Sequence, residues 1–399
     1  MTRLTRLAAG GVLLVLAAYG LHAAWPTGEL RDYGSFVASG RAATEGENPY
    51  GIHPLTFHVA LPGFEVWNPN LNPPVSIPVF QVFDLVDPHR GFAAWWGVSL
   101  LCYVAAIALL TRRYGGRRRW LLVPWALALA GFWDTLALGQ IYLPLVLAAV
   151  GAWLLLERGR EVTAGILIGL LVAVKPNFGI WPALLLLTGR WRTTAACGVT
   201  VAALWSVPLV MFGPEIYAQW FALIAGDRGR TGFLTNASLP GLAARVGLAP
   251  VGLAGAATLM AAAIWWTVRR RPDALRTSET GIALGILASP IAWVHYTLFL
   301  LPLFFSRRAL SWPLAAAAAL LVVPVPVVLR LLDAPLWQQV SAGSVYNWAA
   351  LLCLAGVLGL RAGRMQPGRA DNSRPDPGHH VPQPHSAPLG EPPRHQIQA

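Results

Sequence analysis

The chain has 399 residues, of which 55% are hydrophobic and only 12% are charged. Ordinary soluble domains contain about 25% charged residues, so this composition excludes a soluble globular protein and predicts one that is surrounded by lipid. The formal net charge of +12 does not indicate nucleic-acid binding, because the basic residues form short clusters between apolar stretches. The three cysteines lie in separate apolar stretches and have neither disulfide nor metal-site spacing.

The basic clusters predict the topology. They lie at residues 3–6, 112–119, 158–160, 190–192, 269–276 and 307–308, and from 361 onward. Such clusters mark cytoplasmic loops, so an even number of crossings must separate each neighbouring pair. This rule decides how each apolar stretch is interpreted.

The first half of the chain is predicted to cross the membrane six times. Residues 7–24 lead outward and 92–110 return, with a first outer loop at 25–91. The apolar stretch 73–86 in that loop is too short to span, so we expect an interfacial helix there. Residues 120–138 and 141–156 cross next, around an outer turn at Gly139-Gln140. Residues 162–188 form two short helices broken at Lys175-Pro176-Asn177, because proline interrupts the helical hydrogen-bond ladder.

The second half follows the same rule. Residues 193–212 and 251–268 flank a second outer loop at 213–250, and 280–305 is a second short hairpin, broken at Ser289-Pro290. Residues 312–332 and 346–360 complete about twelve transmembrane helices. The predicted fold is an all-α polytopic membrane protein with both termini in the cytoplasm. Residues 1–364 form the transmembrane domain, and 365–399, rich in Pro, His, Gly and Gln, form a disordered cytoplasmic tail.

This topology brings polar and charged side chains to the outer face. Ionisable groups near membrane depth are costly, so their joint placement predicts a functional site there. The residues are Asp32, Asn48, Tyr50, Gln140, Lys175, Arg228, Arg230, Asn236, Arg245 and His295.

Each of the main residues also has a structural interpretation. Asp32 could cap the helix that begins near Tyr33, and Lys175 could extend from a hairpin end to the lipid headgroups. His295 could act as an interfacial aromatic residue, and Gln140 could bind a broken helix end. The sequence alone leaves these alternatives open.

Several short patterns in a fixed order carry a family resemblance. They are Asp32 followed by residues 46–50 (Gly-Glu-Asn-Pro-Tyr), Asn72-Pro73-Pro74, Gly139-Gln140, residues 164–169 leading into Lys175-Pro176, Asn236-Ala237-Ser238-Leu239 with Arg245, and residues 289–295 ending in His295. Together they resemble glycosyltransferase family 87, the polyprenyl-phosphate-mannose-dependent mannosyltransferases built on the GT-C fold. Tyr142 and Asn72 depart from the family pattern, which has Asn and Tyr at the corresponding places.

The resemblance implies a GT-C-like fold and an inverting transfer of mannose, or another hexose, from a polyprenyl-phosphate donor in the outer leaflet of the plasma membrane. It implies a catalytic acidic residue in the first outer loop. This residue is Asp32, and its carboxylate is expected to act as the general base. It also implies no metal and no other cofactor. The acceptor, a glycolipid or a glycan, is not specified.

The departing phosphate needs cations or hydrogen-bond donors. The predicted phosphate ligands are Lys175, His295, Arg228, Arg230 and Arg245, although His295 could instead orient the acceptor. Asn48, Tyr50, Gln140 and Asn236 are predicted to bind substrate. Two other functions remain open from sequence: a secondary transporter, because broken hairpins also build transport sites, and a different lipid-linked-sugar enzyme such as a ligase or polymerase.

Overall fold

The computed structural model describes residues 3–25, 28–227 and 229–359. The predicted tail at 365–399 therefore lies outside the described residues, as does Arg228. The first part of the chain contains an N-terminal helix followed by the first outer loop, which has two helices and one β-hairpin. These elements are α1 (Arg3–Ala24), α2 (Arg31–Glu45), β1 (Phe57–Leu61), β2 (Phe64–Asn68) and α3 (Ile77–Asp84).

The next helices form the first half of the bundle. They are α4 (Pro88–Leu110), α5 (Arg119–Leu127), α6 (Ala130–Leu138), α7 (Tyr142–Glu157), α8 (Glu161–Val174), α9 (Ile180–Leu187) and α10 (Trp191–Phe212). Helix α4 packs on α7, α7 on α8, and α8 on α10. Gly165 and Gly169 of α8 face α10, where a Cβ atom would collide with the backbone oxygens of Thr193 and Cys197. Small residues one turn apart thus allow these two helices to pack closely.

The second half begins with two short helices in the second outer loop and returns to the bundle. The elements are α11 (Glu215–Gly226), α12 (Leu239–Arg245), α13 (Ala249–Arg270), α14 (Ala274–Leu287), α15 (Leu301–Ser306), α16 (Trp312–Leu320), α17 (Val325–Leu329), α18 (Leu336–Val340) and α19 (Val345–Leu358). Helix α19 packs against α14 and α16. A 3₁₀ helix at Val294–Leu300 leads directly into α15.

The membrane-spanning character is clear from length and hydropathy. Within the described residues, six helical runs are long and apolar enough to cross a bilayer, and four shorter apolar runs accompany them. The six begin at Leu7, Pro88, Arg119, Trp191, Ala249 and Leu336. The prediction of an all-α polytopic membrane protein is confirmed, and the β-hairpin of the first outer loop is a small addition that the prediction lacked.

Both predicted hairpin breaks occur at their prolines. Helix α8 ends at Val174, and Lys175 adopts φ −132° and ψ 80° before Pro176. A residue that precedes proline is driven out of the helical region in this way. Helix α14 ends at Leu287, and helical structure resumes at Val294. The stretch 73–86 contains the short helix α3, as expected for a segment too short to span.

Three ion pairs join residues in or beside the predicted cytoplasmic clusters. Arg113 lies 2.7 Å from Glu157, and Arg190 lies 3.0 Å from Glu161. Arg307 also pairs with Glu279. The ends of different helices meet in each pair, so these helix ends lie together.

Candidate active site

A cavity of about 600 Å³ opens among the elements that were predicted to lie on the outer face. Its polar lining includes Asp32, Gln140, Lys175, Arg230 and His295. Five predicted site residues, from segments far apart in the sequence, thus line one cavity.

Asp32 lies in the first turn of α2, directly after Arg31, whose φ of 46° is unusual for a residue other than glycine. Its side chain is only 4% exposed. It caps no helix. Its two oxygens instead accept hydrogen bonds from Asn68 Nδ2 and Gln140 Nε2, and the donor–acceptor distance is 2.5 Å in both. Two amide groups therefore hold the carboxylate in one orientation inside the cavity.

The electrostatic setting of Asp32 combines opposing effects. Burial raises the pKa of its carboxyl, while the hydrogen bonds from Gln140 and Asn68 and the charges of Arg230 and Arg31 act to lower it. Burial has the largest effect, so the net pKa shift is upward. A carboxylate with a raised pKa is a stronger base than an exposed aspartate.

Gln140 is placed by the turn that ends α6. Gly139 adopts φ 68°, the left-handed conformation that terminates many helices, and the Gln140 amide N–H donates to the carbonyl of Thr135. A Cβ atom at position 139 would approach the side chains of Tyr33 and Phe92. This glycine turn thus directs the Gln140 side chain toward Asp32.

Lys175 is buried at the break between α8 and α9, where its ammonium contacts two kinds of group. Its Nζ donates to Asn72 Oδ1 over 2.7 Å and lies 4.3 Å from the centre of the Tyr142 ring. The ring of Tyr296 is 5.6 Å away. An amide oxygen and aromatic faces compensate part of the desolvation of a buried cation.

Arg230 reaches the cavity from the second outer loop. Its Nη1 lies 2.6 Å from the Asp227 carboxylate, and its Nη2 donates to the backbone oxygen of Trp67 at the end of the β-hairpin. Phe233, three residues further along the chain, packs against Phe64 of β2, with ring centres 4.5 Å apart and the rings tilted by 42°. The two outer loops are therefore joined over the cavity.

His295 lies at the second broken hairpin, with its ring against Tyr142 at a centroid distance of 4.9 Å. The preceding turn is fixed by Asn236, whose Oδ1 accepts from the amide of Ala292 over 2.9 Å. Asn236 is fully buried and its other bonds are to backbone groups. It thus supports the His295 turn and does not line the cavity.

The remaining predicted residues also lie elsewhere. Arg245 donates to three backbone oxygens of residues 233–236 and to the side chains of Ser344 and Asn347. Asn48 and Tyr50 line a separate, shallow groove beside α11. Tyr50 also donates through its hydroxyl to the backbone oxygen of Asn72. The phosphate-binding and substrate-binding roles of these residues are not supported by contact with the cavity.

Sequence reasoning did not assign site roles to Asn68 and Asn72, which bind Asp32 and Lys175 directly. Asn72 was noted only as a departure from a family pattern. Asn68 ends a strand, and the alternation of apolar and charged residues at Phe64-Glu65-Val66 is a usable sequence signal for that strand. Within the described residues, no three His, Cys, Asp or Glu side chains lie close enough to hold a metal ion.

One wall of the cavity is apolar. It is formed by Leu16, Tyr19 and Ala23 of α1 on one side and by Val322, Val325 and Leu329 around α17 on the other. Leu16 belongs to a helix that is mostly unburied within the protein. The cavity thus joins a polar end at Asp32 to an apolar end between two helical segments.

Fold and site together define a polytopic membrane protein with a buried carboxylate and two buried cations, Lys175 and Arg230, lining an internal cavity. A sequence model of glycosyltransferase family 87 matches residues 70–290, more than half of the chain. The chain belongs to glycosyltransferase family 87 and is therefore a membrane-bound glycosyltransferase. The matched residues include Gln140, Lys175 and Arg230, whereas Asp32 and His295 lie outside them.

Similarity to curated proteins extends over most of the chain. A polyprenol-phosphate-mannose-dependent alpha-(1-2)-phosphatidylinositol pentamannoside mannosyltransferase from Mycobacterium tuberculosis is 28% identical, and the similarity covers 90% of each chain. An alpha-(1->3)-arabinofuranosyltransferase from Corynebacterium glutamicum is 25% identical over 71% of this chain and 77% of its own. Among solved structures, ArnT from Cupriavidus metallidurans bound to undecaprenyl phosphate has a TM-score of 0.40 and 14% identity, over 88% of this chain and 78% of its own. Family membership supports the enzyme over the transporter alternative.

Proposed function

We propose that the protein transfers a mannosyl residue from polyprenyl-phosphate mannose to a hydroxyl of a glycolipid or glycan acceptor, with inversion at the anomeric carbon. The observation that carries this proposal is the buried Asp32 carboxylate in one cavity with Lys175 and Arg230. Three relatives are named as polyprenol-phosphate-mannose-dependent mannosyltransferases, which supports polyprenyl-phosphate mannose as the donor and mannose as the transferred sugar. The arabinofuranosyltransferase relative indicates that related sequences use more than one sugar.

In this reaction Asp32 is the general base. The acceptor oxygen attacks the anomeric carbon of the β-linked donor, the bond from that carbon to the phosphate oxygen breaks, and the acceptor proton passes to Asp32. The product is α-linked. Proton removal of this kind contributes about 10²–10⁴-fold to a rate. The amides of Asn68 and Gln140 hold the carboxylate in place, so little reorganisation accompanies the step.

Lys175 and Arg230 stabilise the polyprenyl phosphate that leaves with the bonding electrons. Both line the cavity with Asp32. Lys175 has ammonium hydrogens beyond the one donated to Asn72, and a phosphate oxygen accepts such hydrogens strongly. A preorganised cation acts on the charge that develops in the transition state. Arg230 adds a guanidinium that Asp227 orients.

The polyprenyl chain follows the apolar wall between α1 and α17. An isoprenoid needs an uninterrupted apolar path from the phosphate to the bilayer, and Leu16, Val322 and Leu329 line this side of the cavity. The segment at 73–86, which contains α3, does not line the cavity. Its preceding residue Asn72 binds the phosphate ligand Lys175 instead.

The active site faces outward, and residues 1–364 form the catalytic domain with both termini in the cytoplasm. Few arginines lie on the loops that meet at the cavity. The arginine-rich helix ends lie elsewhere, where they form ion pairs with Glu157, Glu161 and Glu279. Basic residues are enriched in cytoplasmic loops. The charge distribution thus supports an outer-face site in the plasma membrane.

A transfer assay tests the proposal. Purified protein in lipid nanodiscs receives radiolabelled polyprenyl-phosphate mannose and a panel of phosphatidylinositol mannosides and glycan acceptors. We expect label in a new α-linked glycan with the wild-type protein, and a loss of at least about 100-fold with Asp32→Asn. Asp87→Asn is the matched control, because Asp87 caps α4 and asparagine caps helices equally well. Equal transfer by Asp32→Asn and wild type would remove Asp32 from the role of base.

A further inference from the structure

The second broken hairpin holds His295 in a defined orientation. Its Nδ1 lies 3.2 Å from Thr135 Oγ1 and 3.5 Å from Asp134 Oδ2, both on α6. One ring face packs on Tyr142. The residue is nearly fully buried, and it lines the cavity. The imidazole is therefore held from its Nδ1 side by α6 and from its face by α7.

The hydrogen bonds around Thr135 indicate which ring nitrogen carries a proton. The Thr135 hydroxyl has one hydrogen, which it donates to the backbone oxygen of Gly131 over 2.5 Å. Its oxygen is then an acceptor toward His295. The Asp134 carboxylate, on the same side, is in its ionised form also only an acceptor. With Asp134 ionised, both neighbours of Nδ1 require an N–H at that atom.

The opposite nitrogen, Nε2, is left for the cavity. Among the described residues it has no hydrogen-bond partner, and it is not one of the buried polar atoms cut off from solvent. A second full cation beside Lys175, which shares the Tyr142 ring with His295, would be costly in a desolvated site. The imidazole is then neutral, and its Nε2 presents a lone pair to the cavity.

A lone pair accepts a hydrogen, and a phosphodiester has none to give at neutral pH. The geometry points to Asp134 and Thr135 as positioning residues that fix the Nδ1–H tautomer of His295, so that Nε2 accepts a hydrogen bond from a sugar hydroxyl of donor or acceptor. This inference rests on the proposed function for the identity of the hydroxyl. It assigns His295 to the sugar and leaves the phosphate to Lys175 and Arg230.

The tautomer is measured directly by ¹⁵N NMR of histidine-labelled protein in nanodiscs at pH 7. The chain has nine histidines, and the signals of His295 are those lost in His295→Gln. We expect a protonated Nδ1 and an unprotonated Nε2. A wild-type spectrum with a protonated Nε2, alone or together with Nδ1, would overturn the inference. This readout is independent of activity and of the substrate.

Two double variants test the positioning role. Asp134→Leu/Thr135→Val removes both acceptors from Nδ1, whereas Asp134→Asn/Thr135→Ser keeps an oxygen at each position and is the matched control. We expect the first to lower kcat about 10- to 100-fold, by analogy with metal-binding histidines that lose the partners orienting their second ring nitrogen. The control Asp134→Asn/Thr135→Ser should keep most of the wild-type kcat. A population of the Nε2–H tautomer should appear only in the first.

Binding of polyprenyl phosphate separates the sugar role from a phosphate role. We expect Asp134→Leu/Thr135→Val to retain wild-type affinity for polyprenyl phosphate, while Lys175→Met weakens it at least tenfold. Equal weakening by the two would contradict the assignment of His295 to a hydroxyl. A wild-type protein that transfers nothing from polyprenyl-phosphate mannose would refute the proposed function instead, with the tautomer measurement still deciding the inference.

Discussion

Lys175 donates a 2.7 Å hydrogen bond to the side-chain oxygen of Asn72, 103 residues earlier in the chain. The backbone oxygen of Asn72 accepts in turn from the Tyr50 hydroxyl over 3.2 Å. A residue of the first outer loop is therefore held between a tyrosine at the surface groove and a lysine in the cavity. Tyr50 is outside the cavity, yet it contacts the residue that orients one of the proposed phosphate ligands.

Tyr50→Phe should reduce transfer modestly by releasing Asn72. We expect a loss of a few-fold in kcat/KM and about 1 kcal/mol of stability, the value of one buried hydrogen bond. Tyr217→Phe is the control, because the Tyr217 hydroxyl also donates to a backbone oxygen, that of Trp205, away from the cavity. It should cost similar stability and leave kcat/KM unchanged. Equal kinetic losses in both variants would argue against the link through Asn72.

Asn68→Leu should shift the acidic limb of the pH profile. The Asn68 amide donates to the ionised form of Asp32, so its removal raises the pKa of the carboxyl further. Hydrogen bonds to charged groups are worth about 1.5–3 kcal/mol, which corresponds to about one to two pH units. Because the base acts deprotonated, the acidic limb of kcat/KM should move to higher pH by that amount.

The matched control for this shift is Gln81→Leu. Gln81 lies in the same outer loop, and its amide donates to the neutral hydroxyl of Thr44. Its loss should leave the limb at the wild-type pH. An unchanged limb in Asn68→Leu, measured under the same conditions, would show that the profile reports a group other than Asp32.

Asp32→Asn should change the pH dependence of stability. Burial raises the pKa of Asp32 in the folded protein, so the folded state binds this proton more tightly than the unfolded state, in which an aspartate titrates near about 3.9. The wild type therefore loses stability as the pH rises from that value through the raised folded pKa. An asparagine has no such proton. We expect the wild-type Tm, relative to that of the variant, to fall with increasing pH over this interval.

Thermal unfolding of both proteins in nanodiscs between pH 4 and pH 8 measures this difference. A parallel dependence of the two Tm values on pH would mean that burial is cancelled by the hydrogen bonds and the arginine charges, so that the pKa of Asp32 is not shifted. A difference of opposite sign would mean that the hydrogen bonds from Asn68 and Gln140 outweigh burial, and that the pKa is lowered.

Arg245→Lys should destabilise the fold and spare donor binding. The guanidinium holds backbone oxygens of Phe233, Leu234 and Asn236 through one nitrogen, and lysine cannot reproduce this fork. We expect a loss of several kcal/mol in stability. The folded fraction should keep wild-type affinity for polyprenyl phosphate, whereas a phosphate ligand would lose it. Arg90→Lys, at an exposed arginine, is the control for the substitution itself.

Features that depend on local sequence could be predicted, whereas contacts made by a folded loop could not. Apolar length and the prolines at 176 and 290 predicted the helices and both breaks, because these are local effects. The even-crossing rule placed Asp32, Lys175 and His295 together. Their partners Asn68 and Asn72 depend on how a loop folds over the bundle, which no local pattern encodes. Arg245 shows the converse: a buried guanidinium looks the same in sequence whether it binds phosphate or backbone oxygens.

The β-hairpin was missed for a related reason. Its strands are short and only half-buried, and the apolar stretch that follows them at 73–86 gives the stronger signal, which is for a helix. The register Leu61 to Phe64 closes around Pro62-Gly63, with Gly63 at φ 69°, and proline-glycine between alternating residues is a turn signal. The turn signal is therefore present in the sequence, although the composition of the chain favours helices.

Asn68 is at once the last residue of β2 and one of two amide partners of the Asp32 carboxylate. The β-hairpin that lies over the cavity therefore also orients the proposed base. Displacing this hairpin would break the hydrogen bond from Asn68 and leave one Asp32 oxygen without that partner. Returning it would restore the bond, so access to the cavity and the alignment of Asp32 would depend on the same side chain.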